Sequence, residues 1–152
     1  MIRAVMKRRL LLPVLLVVAA AGLLSACGSQ GVSVPKATAS VQNGAKLFSQ
    51  RCSGCHTFEP AGAEGSATKV SDRERVDGPN FNVRRVCYDN ALYALRNGGY
   101  SGAIMPENIV VGKQAQDVAA FVAEYSGKQG AHAASPTGAA VKCPPLPAGV
   151  GR

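Results

Sequence analysis

The chain has no tryptophan, and its 4 Phe and 4 Tyr hold aromatics to 5% of 152 residues. So few large rings make a thin core, and a large apolar group from outside the chain would supply the missing mass. Histidine is scarce, with His56 and His132 alone, and methionine numbers three. Beyond the first nine residues there is no dense stripe of Lys and Arg; the close basic pairs there are Arg84-Arg85 and Arg73/Arg75. That scattering argues against a nucleic-acid surface. No catalytic triad, paired acid and base, or glycine-rich phosphate loop occurs, so substrate turnover is not expected. No internal repeat appears, and the length allows one small domain with tails.

The formal charge of +8 is largely a property of the first residues. Arg3, Lys7, Arg8 and Arg9 precede an apolar run from Leu10 to Leu24, which is followed by Ser25-Ala26-Cys27. A basic start, a hydrophobic middle and small residues at a cut are the layout of an export signal. The alternative, a retained membrane helix, would rest on roughly 17 residues, the bottom of the spanning range. Without those four cations, 13 Lys and Arg face 9 Asp and Glu, a balance of +4. Leu24-Ser25-Ala26-Cys27 resembles the lipobox of bacterial lipoproteins, which implies a signal over residues 1–26 and a lipid on the Cys27 sulfur. Two or three acyl chains at about 0.8 kcal/mol per buried CH₂ would anchor stably.

Export sets the redox conditions for the remaining cysteines. Cys52 and Cys55 belong to the motif described below, leaving Cys87 and Cys143. These two would either form a disulfide pinning the C-terminal tail or remain as free thiols.

Residues 27–40, rich in Gly, Ser, Val and Thr, are expected to form a flexible tether spanning roughly 20 Å root-mean-square. Residues 129–152, dominated by Ala, Gly, Ser and Pro, are expected to be disordered apart from Cys143. The working domain is then 41–128. Three helices are predicted in it, over about 41–53, 88–96 and 113–126. The last places Val118, Phe121, Val122 and Tyr125 on one face, with Gly127 as its cap. The polar stretch from Thr57 to Val76 shows no strand alternation. It is too long for a mere linker, and wrapping a cofactor edge would justify it.

Cys52-Ser53-Gly54-Cys55-His56 carries the chemistry. C-x-x-C-H is the attachment pattern of c-type haem. Cysteines three apart on the last turn of a helix can reach two vinyl groups on neighbouring pyrroles. The next residue, His, then lies beneath the iron. A redox dithiol would instead sit at a helix start after a strand. A zinc site would need a second Cys/His pair, for which only Cys87, Cys143 and His132 are left. Beyond residue 26 the chain has one Met, Met105, and one His besides His56. His132 lies in the Ala/Gly tail, so Met105, stiffened by Pro106, is the candidate sixth ligand. His/Met ligation raises the potential and closes the iron to substrates.

From about Gln42 to Gly127 the chain resembles a small bacterial class I cytochrome c. The resemblance rests on Gly44 and Phe48 ahead of Cys52-x-x-Cys55-His56, then Gly78-Pro79-Asn80-Phe81, Met105-Pro106 and Asp117-Val118-Ala119-Ala120-Phe121-Val122. It implies an all-α cytochrome c fold, with about three main helices and long loops around one covalent haem c. It further implies that Gly44 packs against Phe121 where the first and last helices cross. The Pro79 carbonyl would accept the His56 ring N–H, fixing its tautomer. The Thr57–Val76 stretch and the Cys87/Cys143 pair depart from the general pattern.

The expected protein is a monomeric electron carrier, lipid-anchored at the outer face of a bacterial cytoplasmic membrane. Its partners would be redox proteins, and neither nucleic acid nor substrate is expected. Two rivals remain: a haem-bearing subunit of a larger oxidase or reductase, and an open-site haem enzyme or sensor if Met105 does not ligate. The fold does not choose among respiration and other oxidations.

Overall fold

The computed structural model describes residues 31–67, 69–100, 104–128 and 142–151. In chain order its elements are helix α1 (Ala39–Arg51), strand β1 (Thr57–Phe58), a 3-10 turn (Glu59–Ala61), strand β2 (Ala63–Glu64), a second 3-10 turn (Val70–Asp72), helix α2 (Tyr88–Asn97) and helix α3 (Gly112–Tyr125). The helices fall within two residues of their predicted bounds. Helix α1 starts two residues before its predicted start, because Thr38 caps it. Its backbone is extended and its Oγ1 accepts the Val41 N–H at 3.4 Å, which satisfies one of the orphan donors of the first turn. Helix α2 ends where Gly98 turns left-handed at φ 67°, a conformation glycine adopts without penalty.

Helices α1 and α3 cross to form the core. Val41, Ala45 and Phe48 of α1 face Ala115, Val118, Ala119 and Phe121 of α3, all buried. A Cβ on Gly44 would lie 2.1 Å from the Asp117 carbonyl oxygen and 3.0 Å from Phe121 Cβ. The crossing is therefore as close as it is because Gly44 has no side chain.

A polar clasp closes the same crossing. The Asp117 side chain is buried, and its carboxylate accepts from Ser40 Oγ at 2.5 Å and Asn43 Nδ2 at 2.8 Å, both on α1. Lys113 Nζ, one turn earlier on α3, completes the set with an ion pair. Burial alone would raise the Asp117 pKa, but hydrogen bonds from Lys113, Ser40 and Asn43, with the Lys113 charge, hold it below the usual carboxylate value. A depressed folded-state pKa gives stability that is present above the unfolded value of about 3.9 and lost as pH falls through the folded value. Thermal melts should therefore show an acid-side loss of stability that Asp117→Asn reduces; equal acid sensitivity in both proteins would refute this account.

The Thr57–Val76 stretch, predicted to be free of strand, contains a short antiparallel ladder pairing Thr57 with Glu64 and Phe58 with Ala63. Two-residue strands are too short to show alternation in sequence. Gly62, left-handed at φ 61°, makes the turn. Ser66 then locks the hairpin: Thr57 N–H donates to its Oγ at 3.0 Å, and Thr57 Oγ1 donates to its carbonyl at 2.9 Å.

Both predicted tails depart from expectation where they are described. Val32, Val34 and Ala37 pack against the core cluster, and Ser33 N–H donates to the Pro60 carbonyl at 2.9 Å. This segment is a strap on the domain, because its alternating valines have apolar surface to bury. At the other end Cys143 is bonded to Cys87, across 56 positions of sequence, and Leu146 and Val150 pack against the core. The covalent link lowers the entropic cost of ordering so proline-rich a segment. Closing a loop of that length is worth about 4 kcal/mol by chain entropy, and about 2–4 kcal/mol is typical. Replacing both cysteines by alanine should lower the melting temperature markedly, and adding a reductant to the double variant should have no further effect.

The proposed signal over residues 1–26, Cys27 and His132 lie outside the described residues. Among the described residues no helix is long and apolar enough to cross a membrane.

Candidate functional site

The motif Cys52–His56 continues α1 by one more turn. Cys52 N–H donates to the Phe48 carbonyl at 2.8 Å, and the N–H groups of Cys55 and His56 both reach the Cys52 carbonyl, at 3.2 and 3.0 Å. Residues three and four apart on a helical turn share one face, so Cys52, Cys55 and His56 are brought together. Cys52 and Cys55 are both free thiols, the first buried and the second exposed. Burial, with Cys55 nearby, pushes the Cys52 thiol up to about 12. Among the described residues no three His, Cys, Asp or Glu side chains gather to hold a metal ion by themselves.

His56 is buried and fixed on three sides. Its Nδ1 donates to the Pro79 carbonyl at 3.0 Å, which leaves Nε2 as the nitrogen carrying a lone pair. Burial lowers its pKa, against a smaller opposing effect of the Pro79 hydrogen bond, so the neutral, ligating form is favoured. Gly78 lies against the ring: a Cβ there would fall 2.3 Å from Cε1, 2.5 Å from Nδ1 and 2.7 Å from Nε2. The Phe81 ring stacks on the imidazole, with centroids 4.8 Å apart and planes 16° from parallel.

The loop carrying Gly78, Pro79 and Phe81 is stitched to the motif by main-chain bonds. Gly78 N–H donates to the Cys55 carbonyl at 2.7 Å, and Phe81 N–H to the Thr57 carbonyl at 2.9 Å. On the other side, Gly65 N–H donates to the His56 carbonyl at 3.1 Å, and a Cβ on Gly65 would lie 2.1 Å from the Ser53 carbonyl oxygen. The motif is thus gripped between the β hairpin and the 78–81 loop.

The 4 phenylalanines of the chain all gather here. Phe48 contacts Phe58, Phe81 and Phe121 edge-on, at centroid distances of 5.3, 5.8 and 5.7 Å, and meets His56 at 6.0 Å. Each such pair contributes about 0.5–1.5 kcal/mol beyond area burial. Of these rings Phe48 and Phe81 meet the imidazole, and Phe58 and Phe121 pack against them.

Met105 comes from a separate loop that folds back on the end of α2. Asn108 N–H donates to the Leu95 carbonyl at 2.9 Å. Gly98 leaves room for the returning chain, since a Cβ there would lie 2.8 Å from the Met105 carbonyl oxygen. The Met105 side chain is half-buried and packs against the core cluster.

A family model described as Cytochrome c matches residues 41–126. The chain belongs to the cytochrome c family. No curated protein and no solved structure matches it. Among the described residues, three helices with almost no strand are the mainly helical cytochrome c fold. The cofactor is one covalent haem c, and the function class is haem-based electron transfer.

The site suits that group. Two unbonded thiols share a turn with a neutral imidazole whose Nδ1 is occupied, as thioether attachment and axial ligation through Nε2 require. Haem supplies a one-electron couple; the protein binds it, orients it and tunes it. A cleft of about 970 Å³ beside the hairpin is a poor match by comparison. It is lined by Glu59, Glu64, Asp72, Glu74 and Asp77, and a flat apolar macrocycle would desolvate those carboxylates without pairing them.

Sequence reasoning quoted Gly78 and Phe81 but gave neither a role toward His56, and it assigned nothing to Gly65. A glycine immediately before the proline whose carbonyl meets a histidine was the signal for the first. Nothing in the sequence signals the contact between Gly65 and Ser53.

Proposed function

We propose that the protein is an electron carrier in which Cys52 and Cys55 hold the haem by thioether bonds and His56 Nε2 and Met105 are its axial ligands. The observation that carries this reading is the His56 imidazole, buried on the same turn as two unbonded thiols with its Nδ1 held at 3.0 Å by the Pro79 carbonyl. That bond fixes the tautomer and raises the basicity of Nε2. Pairing of Cys87 with Cys143 supports an oxidising, extracytoplasmic setting. In this reading the chain is lipid-anchored through Cys27 at the outer face of a bacterial membrane. It exchanges electrons with redox proteins as a mobile monomer.

A visible absorption spectrum of the protein matured in a haem-attaching bacterial host tests it, oxidised and reduced, with and without carbon monoxide. The expected result is a covalent low-spin c-type spectrum, a thioether–iron band when oxidised, and no response to carbon monoxide. High-spin iron that binds carbon monoxide would remove Met105 as ligand and move an open-site enzyme or sensor to the front. Absence of covalent haem would sink the whole reading. In Met105→Ala the thioether–iron band should vanish while the covalent haem remains.

A further inference from the structure

We infer that Phe81 is a positioning residue for the His56 imidazole, setting the rotation of the ring about its Cβ–Cγ bond by lying flat against it. The inference rests on the proposed ligation of iron by His56 and adds to it a cause for the ring's orientation.

The Pro79 hydrogen bond holds one ring atom. A hydrogen bond tolerates a broad range of angles at a carbonyl oxygen, so alone it leaves the ring free to rock. Gly78 leaves the ring its place by having no Cβ, which would fall 2.3 Å from Cε1, but a backbone without a side chain presents no flat face to hold the plane. Phe81 acts on the plane as a whole, since its ring is within 16° of parallel at 4.8 Å between centroids. Any rocking of the imidazole tilts it out of that stack.

The stack can impose an orientation only if Phe81 is itself fixed, and its backbone is tied at both ends. Its N–H donates to the Thr57 carbonyl, directly after His56, and its carbonyl accepts from Gly127 N–H at the end of α3, each at 2.9 Å. Gly127 is left-handed at φ 70°, and a Cβ there would meet Arg85 backbone at 2.9 Å. Its place is thus set by the joint between α3 and the 81–86 segment. Beside the stack stands Phe48, 5.8 Å from the Phe81 ring and 6.0 Å from the imidazole, and Phe58 meets the Phe81 ring at 5.6 Å. The stack links the ligating turn to the terminal helix through one side chain.

The orientation of an axial imidazole plane splits the iron orbitals it overlaps. It is therefore read by the g values of the oxidised protein and by the spread of its haem-methyl proton resonances. The test compares full-length haem-loaded protein with Phe81→Tyr, Phe81→Leu and Phe81→Met, recording both spectra, the midpoint potential and the thermal melt. Tyrosine keeps the flat ring and should preserve the wild-type g values and methyl pattern. Leucine and methionine fill volume without a face to stack, so the ring should sample more orientations. The methyl spread should contract and the largest g feature should broaden and shift, in protein that still melts cooperatively.

Wild-type spectra in either aliphatic variant would overturn the inference, because volume alone would then suffice. Failure of both aliphatic variants to fold while Phe81→Tyr folds would also overturn it, making Phe81 a core residue first. A wild-type protein with high-spin iron or without covalent haem fails the ligation reading itself, a result distinct from either.

Discussion

Gly44→Ala should lower the melting temperature by roughly 8–16 °C, a large loss for a single methyl group. The new Cβ would lie 2.1 Å from the Asp117 carbonyl oxygen and 3.0 Å from Phe121 Cβ, whereas carbon contacts are comfortable at about 3.5–4.0 Å. The first neighbour is helix backbone, so no side chain can swing aside. The two helices must separate, and that separation loosens Val41, Phe48, Val118 and Phe121 together. It also stretches the bonds from Ser40 and Asn43 to Asp117. Overpacking of this kind costs about 3 kcal/mol or more. Against it stands the helix propensity of alanine over glycine, worth about 1 kcal/mol. The steric cost wins, leaving about 2 kcal/mol of destabilisation. For a domain of this size that is about 4–8 °C per kcal/mol. Far-UV circular dichroism melts of the haem-loaded protein would measure it. A change below about 4 °C would mean the crossing relaxes far more easily than its geometry implies.

What could be read from the sequence divides by the range of the interaction. Helix α3 was legible because Val118, Phe121 and Val122 recur at the helical period and bury their common face. The turn from Cys52 to His56 was legible because attachment chemistry demands that spacing. The close approach at Gly44 followed from family resemblance, and the Cβ distances reproduce it. The hairpin escaped because its strands are two residues each, and because the side chain that locks it, Ser66, is an ordinary serine in a polar run. The two ends of the chain misled for a related reason. Gly- and Ser-rich composition signals a chain with little to bury, yet Val32 and Val34 at one end and Leu146 and Val150 at the other suffice to dock it. Composition averages over a segment, while docking depends on two side chains and, at the C-terminus, on one covalent bond. The Phe81 stack was out of reach for another reason. Its geometry is set by Thr57 and Gly127, which lie 24 and 46 positions away and bond through the backbone, where side-chain identity leaves no trace.

Gly78→Ala is the substitution expected to damage the site most. Its Cβ would fall 2.3 Å from His56 Cε1 and within 2.7 Å of both ring nitrogens, so either the imidazole or the 78–81 loop must move by more than 1 Å to restore contact distances near 3.5 Å. The loop is the stiffer of the two. Gly78 N–H is bonded to the Cys55 carbonyl at 2.7 Å and Phe81 N–H to the Thr57 carbonyl at 2.9 Å, and shifting it would break both. The ring therefore yields, which lengthens the 3.0 Å bond to Pro79 and tilts Nε2 away from its aim. Loss of such an outer hydrogen bond typically costs metal affinity about 10–100-fold. Because Cys52 and Cys55 are untouched, covalent attachment should survive. The oxidised spectrum should change from low-spin to a mixture with high-spin iron that now binds carbon monoxide. Steric displacement and general unfolding are separable by Pro79→Ala, which keeps the carbonyl and adds no atom against the ring. That variant should remain low-spin. An unperturbed low-spin spectrum in Gly78→Ala would show that the loop, not the ring, gives way, and that the loop is held less rigidly than its two main-chain bonds indicate.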